Sequence, residues 1–132
     1  MGQFKILIVD DEYGIVFMVE KIYKKRGFIV FGASDGIKAV EIFEKEHPDL
    51  IFIDIHMPFS PIDGVETLER IKKIDNNANC VMLTRIYDNI SISQTKRLGA
   101  MHYITKPFMT EDLDKCINEV QSKLRAEGGQ NG

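Results

Sequence analysis

The sequence predicts an α/β fold built on a parallel sheet. Five short, β-rich apolar runs alternate with five helical stretches of roughly 10–16 residues, the pattern of repeated strand–helix units. The middle run, LIFID (50–54), is apolar at four of its five positions, as a strand covered on both faces requires. No internal repeat competes with this reading, and the 132 residues suffice for one domain with a real core.

The first run, FKILIV (4–9), ends at Asp10-Asp11-Glu12. A helix over about 12–26 follows, with Ile15, Met18, Val19 and Ile22 as its core stripe and Gly27 placed to cap it. FIVFGA (28–33) is the second strand. Ser34-Asp35-Gly36 opens a helix carrying Ala39, Val40 and Phe43 on one face, stopped near His47-Pro48. LIFID is the third strand. A loop holding Pro58, Pro61 and Gly64 leads to a helix over 65–75, in which Val65, Leu68, Ile71 and Ile74 recur at helical spacing.

CVMLT (80–84) is the fourth strand, 88–98 a polar helix, and 101–105 the fifth strand. Thr110 caps a last helix with Leu113, Ile117, Val120 and Leu124 on one face. The expected folded unit is 1–125. Residues 126–132, AEGGQNG, read as a flexible tail or the start of a linker.

Composition narrows the function. Hydrophobic content is 44% and charged content 28%, as in a soluble globular protein, and the net charge of −3 with no long basic run argues against direct nucleic-acid binding. No apolar run is long enough for a membrane span or signal peptide, so a cytoplasmic location is expected. Cys80 and Cys116 are far apart in apolar contexts and read as reduced core residues.

In parallel α/β folds ligands bind at the carboxyl ends of the strands. There this sequence places Asp10-Asp11, Asp54, Thr84 and Thr105-Lys106-Pro107; the second strand ends in Gly32-Ala33-Ser34, without comparable chemistry. Singly, each has a plainer reading: a helix cap, a turn residue, a strand threonine, a solvated lysine. Together they are hard to reach by chance. Three converging carboxylates repel one another and call for a cation. Oxygen ligands alone suit Mg²⁺ or Mn²⁺ rather than zinc, and His47, His56 and His102 lack ligand spacing. A hard metal, a lysine, a hydroxyl and a carboxylate nucleophile describe a site that captures phosphoryl as an aspartyl phosphate.

VDDE (9–12), FIDIHMP (52–58), MLT (82–84) and YITKPF (103–108) resemble, in order, the receiver domain of bacterial two-component response regulators. The resemblance spans about 4–125. It implies a flavodoxin-like (βα)5 doubly wound sheet of strand order 2-1-3-4-5, and a signalling phosphoacceptor that promotes its own phosphorylation and dephosphorylation without being a turnover enzyme. Asp54 would accept the phosphoryl group. Asp11, Asp54 and the backbone carbonyl of His56 would hold Mg²⁺, with Asp10 helping through water. Thr84 and Lys106 would contact the phosphoryl oxygens, Lys106-Pro107 would be cis, and Tyr103 would turn inward as Thr84 moves. The implied donor is a sensor histidine kinase or histidine phosphotransferase. The 88–125 face is the expected readout surface, for a downstream effector or a homodimer.

Three places depart from that family's usual pattern. The loop PFSPIDG (58–64) is two residues longer than is common, which alters the rim near Asp54. Arg85 follows Thr84 where a small residue is usual; it either pairs with or shields the phosphoryl group, slowing its loss, or points to solvent. Val16 and Phe17 fall off the stripe of the first helix, and form either a docking patch for the donor's helices or part of a wider buried arc.

Other functions on the same fold fit less well. An aspartyl-phosphate hydrolase usually wants a second acid where His56 stands. A nucleotide or flavin site wants a Gly-rich loop after the first strand, where Asp10-Asp11 would repel phosphate. A degenerate receiver would lack part of the residue set.

Overall fold

The computed structural model describes residues 3–85 and 88–129. Five strands, β1 (Lys5–Val9), β2 (Ile29–Ala33), β3 (Leu50–Asp54), β4 (Cys80–Thr84) and β5 (His102–Thr105), alternate with five helices. These are α1 (Tyr13–Lys25), α2 (Gly36–Glu46), α3 (Gly64–Ile74), α4 (Asn89–Arg97) and α5 (Thr110–Gly129). All strand pairs are parallel and the sheet order is β2-β1-β3-β4-β5. The expected fold and strand order are therefore correct.

β3 and β4 are buried at every position, which is why their sequences run apolar without alternation. One face of the sheet packs Ile6, Ile8, Phe52 and Val81 against Val19 and Tyr23 of α1 and Leu113, Ile117 and Val120 of α5. The other packs Leu7, Ile51, Ile53 and Met82 against Ala39 and Phe43 of α2 and Leu68 and Ile71 of α3. Cys80 and Cys116 are buried free thiols.

Local signals set the helix ends. The side chains of Asp35, Asp63 and Asp88 accept first-turn backbone N–H groups of α2, α3 and α4, with distances of 2.8, 2.9 and 3.1 Å for Lys38, Glu66 and Ser91. Gly27, at φ 97°, closes α1 in the left-handed conformation and donates to the Lys24 carbonyl. α5 begins one residue earlier than its expected cap implies: Thr110 is already helical, and Asp112 Oδ2 accepts the Met109 N–H at 2.9 Å.

One open alternative is decided, and three placements differ from expectation. Val16 is 7% exposed, so of its two readings the wider buried arc holds and the exposed patch does not. It reaches the core because Gly32 of β2 has no side chain there: a Cβ on Gly32 would lie 2.4 Å from Val16 Cγ1. The buried centre of α1 is thus Val16, Val19 and Tyr23, with Ile15, Met18 and Ile22 half-buried around it. Ile74 is exposed, because it ends α3 past the edge of the apolar stripe. Finally, α5 continues through Gly129, four residues beyond 125, so 126–129 extend the helix; 130–132 lie outside the described residues.

Candidate functional site

The cleft forms where the chain leaves β1, β3, β4 and β5. Because β1 and β4 flank β3, Asp54 ends the central strand and every other candidate approaches it from a side. Gly64 lets the following loop fold tightly over it: the Gly64 N–H donates to the Ile55 carbonyl at 2.9 Å. The longer loop is also well anchored. Its Ser60 hydroxyl donates to the Ile62 carbonyl and accepts the Gly36 N–H, while the Phe59 N–H donates to Asp11 Oδ2 at 3.2 Å.

Asp10 is wholly buried and Asp54 is 5% exposed. Lys106, 7% exposed, brings its ammonium 2.7 Å from Asp10 Oδ2, 3.1 Å from Asp54 Oδ2 and 3.7 Å from Glu12 Oε2. Its contact with Asp54 is a hydrogen bond. With Asp10 Oδ2 it is an ion pair by distance without hydrogen-bond alignment, so that buried oxygen has no hydrogen-bond partner, while Asp10 Oδ1 accepts the Glu12 N–H at 2.9 Å.

Burial raises the Asp54 pKa most, and the Asp10 carboxylate adds to it. Lys106 and the His56 N–H pull the other way, leaving it at about 7. Burial alone would lower the Lys106 pKa; the Asp10 and Asp54 carboxylates outweigh it and hold the ammonium above its ordinary value. One lysine does not neutralise this site.

Carboxylate oxygens of Asp10, Asp11 and Asp54 all lie within 4.8 Å of one another. Hard oxygen donors at that spacing, with Asp10 Oδ2 buried and making no hydrogen bond, fit a small divalent cation such as Mg²⁺. The cleft above them measures about 230 Å³ and is bordered by Asp11, His56, Pro58, Phe59 and Arg85. A larger hollow of about 770 Å³, beside His47, Lys72, Asn79 and Lys123, lies at the opposite ends of the strands.

The remaining candidates divide. Thr84 ends β4 buried, 4% exposed, and the Lys106–Pro107 peptide is cis. His56 faces Asp88, the cap of α4, with Nε2 3.6 Å from Oδ2. Arg85 borders the cleft and pairs with Glu12 across it. Tyr103 is engaged elsewhere: its hydroxyl donates to the Ile92 carbonyl at 3.0 Å and lies 2.7 Å from Thr95 Oγ1, both on α4. Phe17 is 65% exposed on α1, with the Lys21 ammonium 5.8 Å from its ring centre, and Val16 beside it is buried. Sequence reasoning missed Glu12 and Thr95. Glu12 was legible only as the third acid of VDDE, and Thr95 as one hydroxyl on a polar helix.

Comparison with known proteins identifies the family. Residues 6–118 match the family model of the response regulator receiver domain. The chain is 38% identical over 120 residues to sporulation initiation phosphotransferase F of Bacillus subtilis, covering 91% of this chain and 93% of that protein. It is 35% identical over 116 residues to the chemotaxis protein CheY of the same species, covering 87% and 95%. A CheY-like receiver domain from Methanospirillum hungatei superposes with a TM-score of 0.87 at 28% identity, covering 96% and 99%. With the family model spanning most of the chain and the sheet order in agreement, the chain belongs to the response regulator receiver domains, the phosphoacceptor switches of two-component signalling.

Proposed function

We propose that Asp54 is the phosphoacceptor of this switch and takes its phosphoryl group from a phosphohistidine on a sensor histidine kinase or histidine phosphotransferase. The observation that carries this reading is the buried Lys106 ammonium, 3.1 Å from Asp54 Oδ2 and 2.7 Å from Asp10 Oδ2, at the floor of an open cleft. An Asp54 carboxylate oxygen attacks phosphorus, the P–N bond breaks, and the imidazole leaves and takes up a proton. Lys106 and the Thr84 hydroxyl meet the phosphoryl oxygens as charge gathers on them.

Asp10, Asp11, Asp54 and the backbone carbonyl of His56 would hold Mg²⁺, or Mn²⁺ in its place. When bound, that cation offsets the charge of the carboxylates and of the incoming phosphoryl oxygens. The chain's own part is positioning: Asp54 is fixed by β3, and Lys106 by the hydrogen bond from its backbone N–H to the Thr84 carbonyl, 2.8 Å. Each phosphoryl gained is later lost to water, so the domain speeds its own phosphorylation and dephosphorylation and is not a turnover enzyme.

The output is a population shift. A phosphoryl group on Asp54 draws Thr84 inward, and Tyr103 leaves α4 to follow it. The α4–β5–α5 face then changes for a downstream effector or a second copy of the chain. For the donor, the helix pair bearing its histidine fits α1, where Phe17 is exposed and Ile15 and Met18 line an apolar groove with Pro107 and Phe108 beside Lys106. No helix among the described residues is long and apolar enough to cross a membrane, and the setting proposed is the cytoplasm.

Intact mass after incubation with acetyl phosphate and Mg²⁺ tests the assignment. The wild type gains one phosphoryl, and Asp54→Ala or omission of Mg²⁺ abolishes the gain. A gain that survives Asp54→Ala places the acceptor elsewhere. For the docking surface, Phe17→Asp slows transfer from the protein donor and spares acetyl phosphate; equal loss from both removes α1 from the reading.

A further inference from the structure

Glu12 follows β1 and Arg85 follows β4, and in this sheet those strands stand on either side of β3. The ion pair between the Arg85 guanidinium and Glu12 Oε1 therefore crosses the end of β3, above Asp54. Glu12 Oε2 also faces Lys106 Nζ at 3.7 Å, so Glu12 stands between two cations of the same cleft. Both partners are solvent-accessible, with side chains 60% exposed for Arg85 and 40% for Glu12. Exposed pairs of this kind hold their members weakly.

We propose that Glu12 parks Arg85 over the empty acceptor, and that Arg85 exchanges Glu12 for the phosphoryl group once Asp54 carries it, prolonging the aspartyl phosphate. This rests on Asp54 being the acceptor. A phosphoryl dianion offers more charge than a carboxylate and more oxygens for a forked guanidinium, so it wins the competition for Arg85. Forming the acyl phosphate removes the Asp54 carboxylate charge and adds the two of the phosphoryl group. The cleft thus gains negative charge when Arg85 is called upon.

The reaction being slowed is hydrolysis. Water attacks phosphorus from the side opposite the Asp54 oxygen, the P–O bond to Asp54 breaks, and Asp54 leaves as a carboxylate. The water's proton passes to solvent, and inorganic phosphate is released. The approach runs through the mouth of the cleft, which Arg85 borders. A guanidinium seated on the phosphoryl oxygens occupies that approach. Glu12 is then a competitor of the phosphoryl group, not a support for it.

The experiment follows the half-life of the aspartyl phosphate, formed from acetyl phosphate with Mg²⁺ and read by intact mass after the donor is removed. Arg85→Ala shortens the half-life about tenfold, the effect of losing one charge-assisted contact. Glu12→Gln lengthens it, by up to about fivefold if the exposed pair has the usual strength. The double variant behaves as Arg85→Ala alone, because the Glu12–Lys106 approach of 3.7 Å is too long for a hydrogen bond and Lys106 is already held by Asp10 and Asp54. Unchanged decay in Arg85→Ala, or faster decay in Glu12→Gln, overturns the exchange. So does a Glu12→Gln effect that persists without Arg85. Both side chains lie on the surface, and circular dichroism confirms that each variant is folded. If the wild type gains no phosphoryl while a protein donor also fails, the acceptor assignment falls and takes the exchange with it; an Asp54-dependent gain with equal half-lives defeats the exchange alone.

Discussion

Gly64 lies directly against the main chain of Asp54. A Cβ on Gly64 would stand 2.1 Å from the Asp54 carbonyl oxygen and 2.7 Å from Ile55 Cα, both backbone atoms that cannot swing aside. Gly64→Ala should therefore displace β3 or the start of α3, at a cost of about 3 kcal/mol or more. Urea unfolding measures this, and an alanine variant as stable as the wild type would show that the two segments can part without strain. The same displacement moves Asp54, so phosphorylation should fall even in the folded fraction.

The raised pKa of Asp54 makes the metal-free protein less stable as pH rises. A carboxyl whose folded pKa is about 7, against an ordinary 3.8, contributes stability that is complete below 3.8 and lost as pH climbs through 7. Asp54→Asn cannot ionise and escapes that loss. In EDTA its advantage over wild type should be small near pH 4 and reach roughly 1–3 kcal/mol at pH 8. Thermal unfolding across this range provides the measurement; an advantage that grows toward acid contradicts the sign.

Magnesium should reverse that comparison. Because the proposed ligands converge only in the folded chain, Mg²⁺ stabilises the wild type by about 2.7 kcal/mol at one hundred times its dissociation constant. Asp11→Asn should lose most of this response. Melting curves with and without the ion report it, and an equal response in the variant would place the cation elsewhere.

The Tyr103 hydroxyl and Thr95 Oγ1, 2.7 Å apart, hold the ring of Tyr103 on α4. Thr95 is wholly buried, and its hydroxyl also lies within hydrogen-bond reach of the Ser91 and Ile92 carbonyls, at 2.9 and 3.1 Å. Thr95→Val keeps the shape and removes these bonds, costing about 1–2 kcal/mol. Under the proposed switch it also frees Tyr103 to turn toward Thr84 without phosphorylation. Side-chain NMR of Tyr103 follows the ring, and an unchanged rotamer would mean that packing, not Thr95, holds it.

Burial raises the thiol pKa of Cys80 to about 12 and that of Cys116 to about 11. Neither should react with iodoacetamide at pH 8 while the protein is folded, and both should react in urea. Rapid labelling of native Cys80 would require an opening of the central sheet.

The elements and the chemistry at their ends were legible for different reasons. Runs such as LIFID and CVMLT had no polar face to leave exposed, so buried central strands were the only fit. Asp54 and Lys106 stood out because charges at the ends of such strands need partners. Val16 could not be placed from its own helix: its burial depends on a missing side chain at Gly32, one strand away. Glu12 and Arg85 are distant in sequence, and only the strand order brings them across the same opening. The end of α5 was obscured by composition, since the glycines of AEGG weaken a helix without stopping it here.

Val16 and Gly32 therefore share one volume. Space granted to either position is taken from the other; Glu20 Oε1, 2.7 Å from where a Gly32 side chain would begin, ends a flexible side chain that can swing aside, whereas buried Val16 cannot. A descendant of this chain that acquires alanine at 32 should survive only if valine 16 shrinks in step, so the two sites should drift through evolution as a linked pair.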